Sequence, residues 1–256
     1  MRCPRCLAAL LLAALSMLLL LSGCNTDTTA SESVAEPVSP MELTYATQFS
    51  VDKYANGCRL VTIANDRYLV VPEGITPPGD LDENIVLLQQ PLDNIYLVAT
   101  SAMDLFRALD SLDCVRLSGT DADGWYIPEA KQAIENGKML YAGKYNAPDY
   151  ERILSEGCNL AVESTMIYHT PEIKEQLERL GIPVLVERSS YEAHPLGRME
   201  WIKLYGVLLG REDEAEQIFS QATAALEPIL KQPSTDKTVA FFYINSTGTV
   251  NEIGRA

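Results

Sequence analysis

Few residues in this chain are equipped to make or break a covalent bond. His169 and His194 are its only histidines, which leaves little general-base capacity. The sequence contains no G-x-S-x-G, no H-E-x-x-H and no Walker-type phosphate loop. Catalysis would have to pair Cys158 or a serine with one of those histidines, or use an acid pair. Either imidazole could ligate iron axially. However, His169 stands just before a helix start and His194 just before Pro195, where a solvated or structural histidine is the simpler reading, so no resident metal or cofactor is expected. Groups suited to non-covalent recognition are more plentiful. The chain has twelve Tyr against five Phe, and Tyr126, Tyr145, Tyr168 and Tyr191 fall with Trp125 in polar loops. A tyrosine there offers an apolar face and a hydroxyl edge. Arg188, Arg198 and Lys144 could meet carboxylates; equally, the arginines could pair with Glu187, Glu192 or Glu200. Ser164, Thr165, Ser189 and Ser190 add small hydroxyls, which could instead satisfy their own backbone.

The elements that must position these loops follow from hydrophobic period. Short apolar runs at Val61–Ala64, Tyr68–Val71 and Ile85–Leu88 predict an early β-rich portion. Strand and helix patterns then alternate. Strands are predicted at Ile95–Ala99, Val115–Leu117, Met139–Ala142, Leu160–Val162 and Ile182–Val186, with helices at Met103–Leu112, Pro128–Asn136, Pro148–Ser155 and from Pro171 to Leu180, the last capped by Thr170. Such alternation implies parallel strands joined by right-handed crossovers, so the fold class is α/β with a Rossmann-like lobe and a mainly parallel sheet. Ligands of such sheets sit beyond the carboxyl ends of the strands. The loops at Thr100–Ser101, Gly119–Tyr126, Gly143–Asn146, Glu163–His169 and Glu187–Arg198 should therefore share one rim. A helix at Met199–Leu209 follows, then Gly210, then a long amphipathic helix from Glu212 carrying Ala215, Ile218, Phe219, Ala222, Leu226 and Ile229 on one face. At 1.5 Å per residue it spans roughly 25–30 Å, with Pro228 expected to kink its last turn. Thr238–Ile244 predicts a further strand opening a second α/β unit.

The N-terminus carries an address. Arg2 and Arg5 precede a fifteen-residue apolar run, Leu7–Leu21, too short for a spanning helix of ~20 residues and typical of a secretory signal. It ends in Leu21-Ser22-Gly23-Cys24, which resembles a bacterial lipobox and implies diacylation of Cys24 and residence on the extracytoplasmic face of a cell membrane. Asn25–Pro40 has no apolar period and reads as a disordered tether, reaching roughly 50 Å at ~3.3 Å per residue. Without Arg2 and Arg5 the 20 basic residues become 18 against 35 acids, a net charge of −17 that does not suit nucleic acid. Cys3 and Cys6 lie in the signal; Cys58, Cys114 and Cys158 allow at most one disulfide and read as small buried hydrophobes.

Several motifs are similar to those of the substrate-binding proteins that serve ABC importers of iron complexes, haem and cobalamin, the single-hinge-helix family. Pro148–Leu154 resembles its Asn-x-Glu-x-Ile-Leu segment, Gly157–Val162 its Pro-Asp-Leu-Val strand with Cys158 in place of proline, Gly181–Val184 its next strand entry, and Leu208–Glu216 its lead into the hinge helix. The resemblance covers Leu43–Ala256. It implies a signal peptide (1–23), a tether (24–42), an N-terminal ligand-binding lobe (43–210), a hinge helix (211–232) and the beginning of a C-terminal lobe (233–256), read here as a chain truncated in that second lobe. It also implies an iron–siderophore, haem or corrinoid ligand held by the rim residues above, and a permease with its ATPase as partner. Glu151 would be the docking carboxylate for permease arginines. An extracellular lipoprotein enzyme or a ligand sensor on the same scaffold is the alternative.

Overall fold

A computed structural model describes residues 37–79, 81–233, 237–238, 240–244 and 249–255. The signal segment, Cys24 and residues 25–36 of the tether lie outside them; Ser39–Pro40, expected to be disordered, instead form a strand paired with Asp52 and Lys53. By their contacts Glu36–Pro77 and Asp82–Ala256 form one unit, to which the architecture below refers.

The β-rich beginning is a five-stranded sheet of β1 (Ser39–Pro40), β2 (Phe49–Lys53), β3 (Arg59–Ile63), β4 (Asp66–Val71) and β5 (Ile85–Gln89), in that spatial order. Its neighbours are antiparallel except β4 and β5. The second sheet contains β6 (Ile95–Leu97), β7 (Val115–Ser118), β8 (Leu140–Tyr141), β11 (Leu160–Ser164) and β12 (Val184–Glu187), ordered β12-β11-β6-β7-β8 and parallel throughout. The alternation expected from sequence is what lies in the structure. Side chains take turns between two apolar layers, as a parallel sheet covered on both faces requires. Ile95, Leu97, Val115, Leu160, Val162 and Leu185 face the larger layer, built by α1 (Met103–Ala108), α2 (Pro128–Glu135), α5 (Pro195–Leu209) and the first sheet. Tyr96, Leu117, Ala161, Val184 and Val186 face the smaller one, closed by Ile153 of α3 (Tyr150–Ser155), Leu177 of α4 (Pro171–Arg179) and Ile167. Tyr68 ties the sheets together by donating to the Val184 carbonyl at 2.9 Å.

Two short strands within the predicted loop Gly143–Asn146 and its sequel form a hairpin, β9 (Gly143–Lys144) with β10 (Ala147–Pro148). Gly143 has φ +87°, and a Cβ placed there would collide with the Ala147 carbonyl. Gly143→Ala should therefore cost about 2 kcal/mol, chiefly by unseating this hairpin, read as a lowered urea midpoint at constant slope. Thr170 does not cap α4 as expected. No backbone N–H reaches its side chain, and its hydroxyl lies instead 3.5 Å from the Ile167 carbonyl.

Helix α5 begins four residues before the expected Met199, because Pro195 supplies a first-turn φ and His194 caps it, its Nδ1 accepting from Leu196 N–H at 3.1 Å. The chain turns at Gly210 into α6 (Glu212–Leu230). The two helices approach at Gly206, where a Cβ would lie 2.6 Å from the Ala215 methyl. Ala215 and Phe219 are buried in this contact, whereas Ile229 is exposed. Beyond it β13 (Ala240–Ile244) pairs antiparallel with β14 (Val250–Arg255). Among the described residues no helix is long and apolar enough to cross a membrane.

Candidate functional site

Strand register decides where the predicted loops emerge. Leu97 pairs with Ser118, Ser118 with Tyr141, and Ser164 with Glu187, so the parallel strands end nearly level. All five loops leave the carboxyl edge of the same sheet. The expected shared rim is a consequence of topology.

Not every candidate presents itself there. Tyr126 is 99% exposed on the loop after β7, and Tyr168 and Tyr191 are exposed on the turns after β11 and β12. Lys144 is exposed and Tyr145 half-buried on the hairpin. Trp125 corrects the expectation. It is only 7% exposed, it packs in the larger core, and its indole N–H donates to the Ser118 hydroxyl and the Thr120 carbonyl, each at 3.1 Å. Ser189 is likewise buried and turned inward. Ser164 accepts from Met166 N–H at 3.4 Å, satisfying local backbone, while Thr165 is half-buried and Ser190 exposed.

The arginines gain weight from what surrounds them. Neither Arg188 nor Arg198 forms an ion pair among the described residues, because the glutamates expected to compete for them are engaged elsewhere. Glu187 accepts from the Ser101 hydroxyl and Ser189 N–H, both at 2.8 Å. Glu192 accepts from Thr47 N–H (2.9 Å), Gln48 N–H (3.0 Å) and the Trp201 indole (2.9 Å). Glu200 accepts from Thr44, Tyr45 and Ala46 N–H and from Lys203 Nζ. Arg188 instead lies over the Tyr191 ring, 4.8 Å from its centroid, with its buried Nε unpartnered. Arg198 Nη2 donates to the Ser190 carbonyl at 3.1 Å. The segment from the turn after β12 to the start of α5 thus offers two guanidiniums without a carboxylate counter-ion among the described residues.

Glu163 is the residue that sequence reasoning passed over as the start of a loop. It belongs to β11, is fully buried, and neither carboxylate oxygen has a hydrogen-bond partner. Burial pushes its pKa up to about 8. Cys58, Cys114 and Cys158 are free thiols, and only Cys58 is fully buried. Burial raises all three, Cys114 and Cys158 to about 11, which makes them poor nucleophiles at neutral pH. His169 is exposed at the end of its turn, and His194 stacks on Tyr45 at 4.7 Å. Glu151 is exposed in the first turn of α3, with Asp149 capping that helix through Arg152 N–H at 3.0 Å. A hollow of about 600 Å³ shares no residue with the rim; its lining includes the Arg59–Glu212 ion pair at 3.0 Å and the further acids Asp213 and Glu214.

No family model matches the chain. It is similar to the iron-uptake ABC transporter substrate-binding protein PiuA of Streptococcus pneumoniae, with TM-score 0.50 and 16% identity over 63% of this chain and 55% of that one. The α/β fold is shared with the aligned part of that protein. A periplasmic haem-binding protein of Vibrio cholerae aligns at TM-score 0.49 and 18% identity, over 62% of this chain and 57% of its own. In sequence, an uncharacterized lipoprotein of Methanocaldococcus jannaschii is 23% identical over 180 residues, 66% of this chain and 42% of the relative. The chain therefore spans less than half of that relative's length and little more than half of the solved structures'. The structural neighbours are binding proteins.

Proposed function

We propose that this protein is a lipid-anchored extracytoplasmic receptor that captures an iron–siderophore complex, haem or a corrinoid and hands it to an ABC permease and its ATPase. The carrying observation is the coincidence of five level loops at one sheet edge with exposed tyrosines and two guanidiniums that lack a carboxylate partner. Tyrosine faces suit a macrocycle or a catecholate ring, and the guanidiniums favour an anionic complex. Acylation of Cys24 would hold the chain to the membrane, and Glu151, exposed beside the rim hairpin in sequence, would meet permease arginines. The neighbours' roles as binding proteins and the name of the archaeal relative support this reading.

Titration of intrinsic fluorescence tests it, with haemin, a ferric tris-catecholate, a ferric hydroxamate and cyanocobalamin as probes. Trp125 is buried next in sequence to exposed Tyr126, so one probe should quench saturably at 1:1 stoichiometry and be recovered chemically unchanged. Four flat titrations would remove the receptor reading, and a consumed probe would favour the enzyme alternative.

A further inference from the structure

Glu163 has no role in ligand capture as set out above, yet it is among the most improbable residues of the molecule. A carboxyl group has been placed near the carboxyl end of the central strands, inside the smaller apolar layer, with nothing donating to either oxygen. Its pair in register on β12 is Val186. Leu117 of β7, Ala142 after β8 and Ile167 of the 165–169 turn contribute to the same layer and bring no charge. The titratable groups coupled to it are the phenols of Tyr96 on β6 and Tyr150 on α3; burial comes first in raising both pKa values, followed by Glu163 for Tyr96, whereas Tyr150 is raised by Glu172 and lowered by Arg179, both of α4, ahead of Glu163. Cys158 and Tyr141 act on Tyr96 in turn. Burial alone accounts for the raised Glu163 pKa, and Arg179 acts on the cluster through Tyr150.

The surroundings of Glu163 are the roots of two rim segments. Tyr96 donates its hydroxyl to the Gly143 carbonyl at 2.8 Å and so pins the 143–148 hairpin to the sheet. Asp149 N–H closes the hairpin's base on the Ala142 carbonyl at 2.8 Å, and Thr170 N–H closes the neighbouring turn on the Ile167 carbonyl at 2.9 Å. A neutral carboxyl group leaves these bonds intact. Glu163 stands two residues beyond Ala161, the register partner of Tyr96, and so on the same face; a carboxylate there would compete with the Gly143 carbonyl for the Tyr96 proton and would demand water that the apolar layer excludes.

We propose that Glu163 is a proton-controlled latch of the rim: neutral, it lets the 143–148 hairpin and the 165–169 turn close over it, and ionised, it releases them. The latch positions loops and touches no ligand in this account. Its proof needs no ligand, so its failure leaves the receptor reading standing, and the reverse also holds. A rim so built exposes Lys144 and Tyr145 in different places at mildly acidic and mildly alkaline pH.

Hydrogen–deuterium exchange across pH 6 to 9 tests this, once corrected for the intrinsic pH dependence of exchange. In the unaltered protein, protection of the Asp149 and Thr170 amides and their neighbours should fall at least tenfold over that range, while β6 and β7 keep theirs. Glu163→Gln should keep the rim protected at every pH. Constant rim protection in the unaltered protein, or the same tenfold fall in Glu163→Gln, would overturn the proposal. Carbon-13 NMR of the glutamate side chains in the unaltered protein serves if the variant does not fold: a carboxyl titrating above pH 7 in step with rim exchange supports the latch, and the absence of one contradicts it.

Discussion

Glu200→Ala should lower the stability of the chain by about 3–5 kcal/mol, read as a shifted urea midpoint. That is a large part of the ~5–15 kcal/mol typical of a whole domain. Glu200 stands fully buried on α5 and gathers three consecutive backbone N–H groups, from Thr44 at 2.9 Å, Tyr45 at 2.7 Å and Ala46 at 2.8 Å. Lys203 closes the cluster at 3.1 Å and reaches on to Glu216 at 2.9 Å. Removing the carboxylate would strand three backbone donors and leave the almost buried Lys203 ammonium with Glu216 as its remaining acid partner, which is why the loss should exceed that of an ordinary hydrogen bond. Glu192, on the segment that precedes α5, continues the device through Thr47 and Gln48. Together the two acids fasten residues 44–48, the connection between β1 and β2 of the first sheet.

These acids also set the acid limb of stability. Burial alone would raise the pKa of Glu200, but the hydrogen bonds from Thr44, Ala46, Tyr45 and Lys203 outweigh it and hold the carboxyl group below its ordinary value. Glu192 is lowered in the same way, burial being outweighed by Trp201, Gln48 and Thr47. A group depressed by folding contributes its full stabilisation above its unfolded pKa of ~4.3 and loses it as pH falls through the folded value. Glu200→Ala should accordingly flatten the decline of stability below about pH 4.5. Glu163 acts with the opposite sign. Its contribution is complete below ~4.3 and is lost as pH rises towards about 8.

The second large effect concerns binding. Reversing both rim charges, Arg188→Glu with Arg198→Glu, should weaken the quenching probe at least 100-fold, while the urea midpoint moves little. Hydrogen bonds to charged groups contribute about 1.5–3 kcal/mol each, so losing two gives roughly that factor or more. Both guanidiniums are spared by the local carboxylates, and neither anchors another element through an ion pair among the described residues. Lys144→Ala, on an exposed position of the hairpin, should change affinity less than tenfold. Equal loss in both variants would point to non-specific charge attraction.

The α/β alternation was readable because its signals are local. Short apolar runs bounded by Gly, Pro and Asn become strands, and level parallel strands place the loops without further information. Strand β2 escaped because Phe49-Ser-Val-Asp-Lys53 buries only Phe49 and Val51 fully and offers too few apolar residues to stand out. The β9–β10 hairpin is two residues a side, below the length at which period can be read. Trp125 and Ser189 were misplaced because a polar loop does not reveal which of its side chains turns inward. Glu192 and Glu200 looked like partners for nearby arginines; their true partners are backbone groups some 144–156 positions away, and no spacing rule announces a backbone donor. Glu163 was hidden for the same reason, since a carboxylate at a strand end ordinarily begins a solvated loop.

Hydroxyl-radical footprinting of the full chain, with and without each of the four probes, tests the central claim that ligand occupies the carboxyl edge of the parallel sheet. The account predicts that the quenching probe lowers oxidation of Tyr126, Met166, Tyr168 and Tyr191 together, while exposed Leu87 and Ile229 are unaffected. Protection centred on the hollow beside Arg59 and Glu212, or none at the four rim residues with any probe, would contradict it.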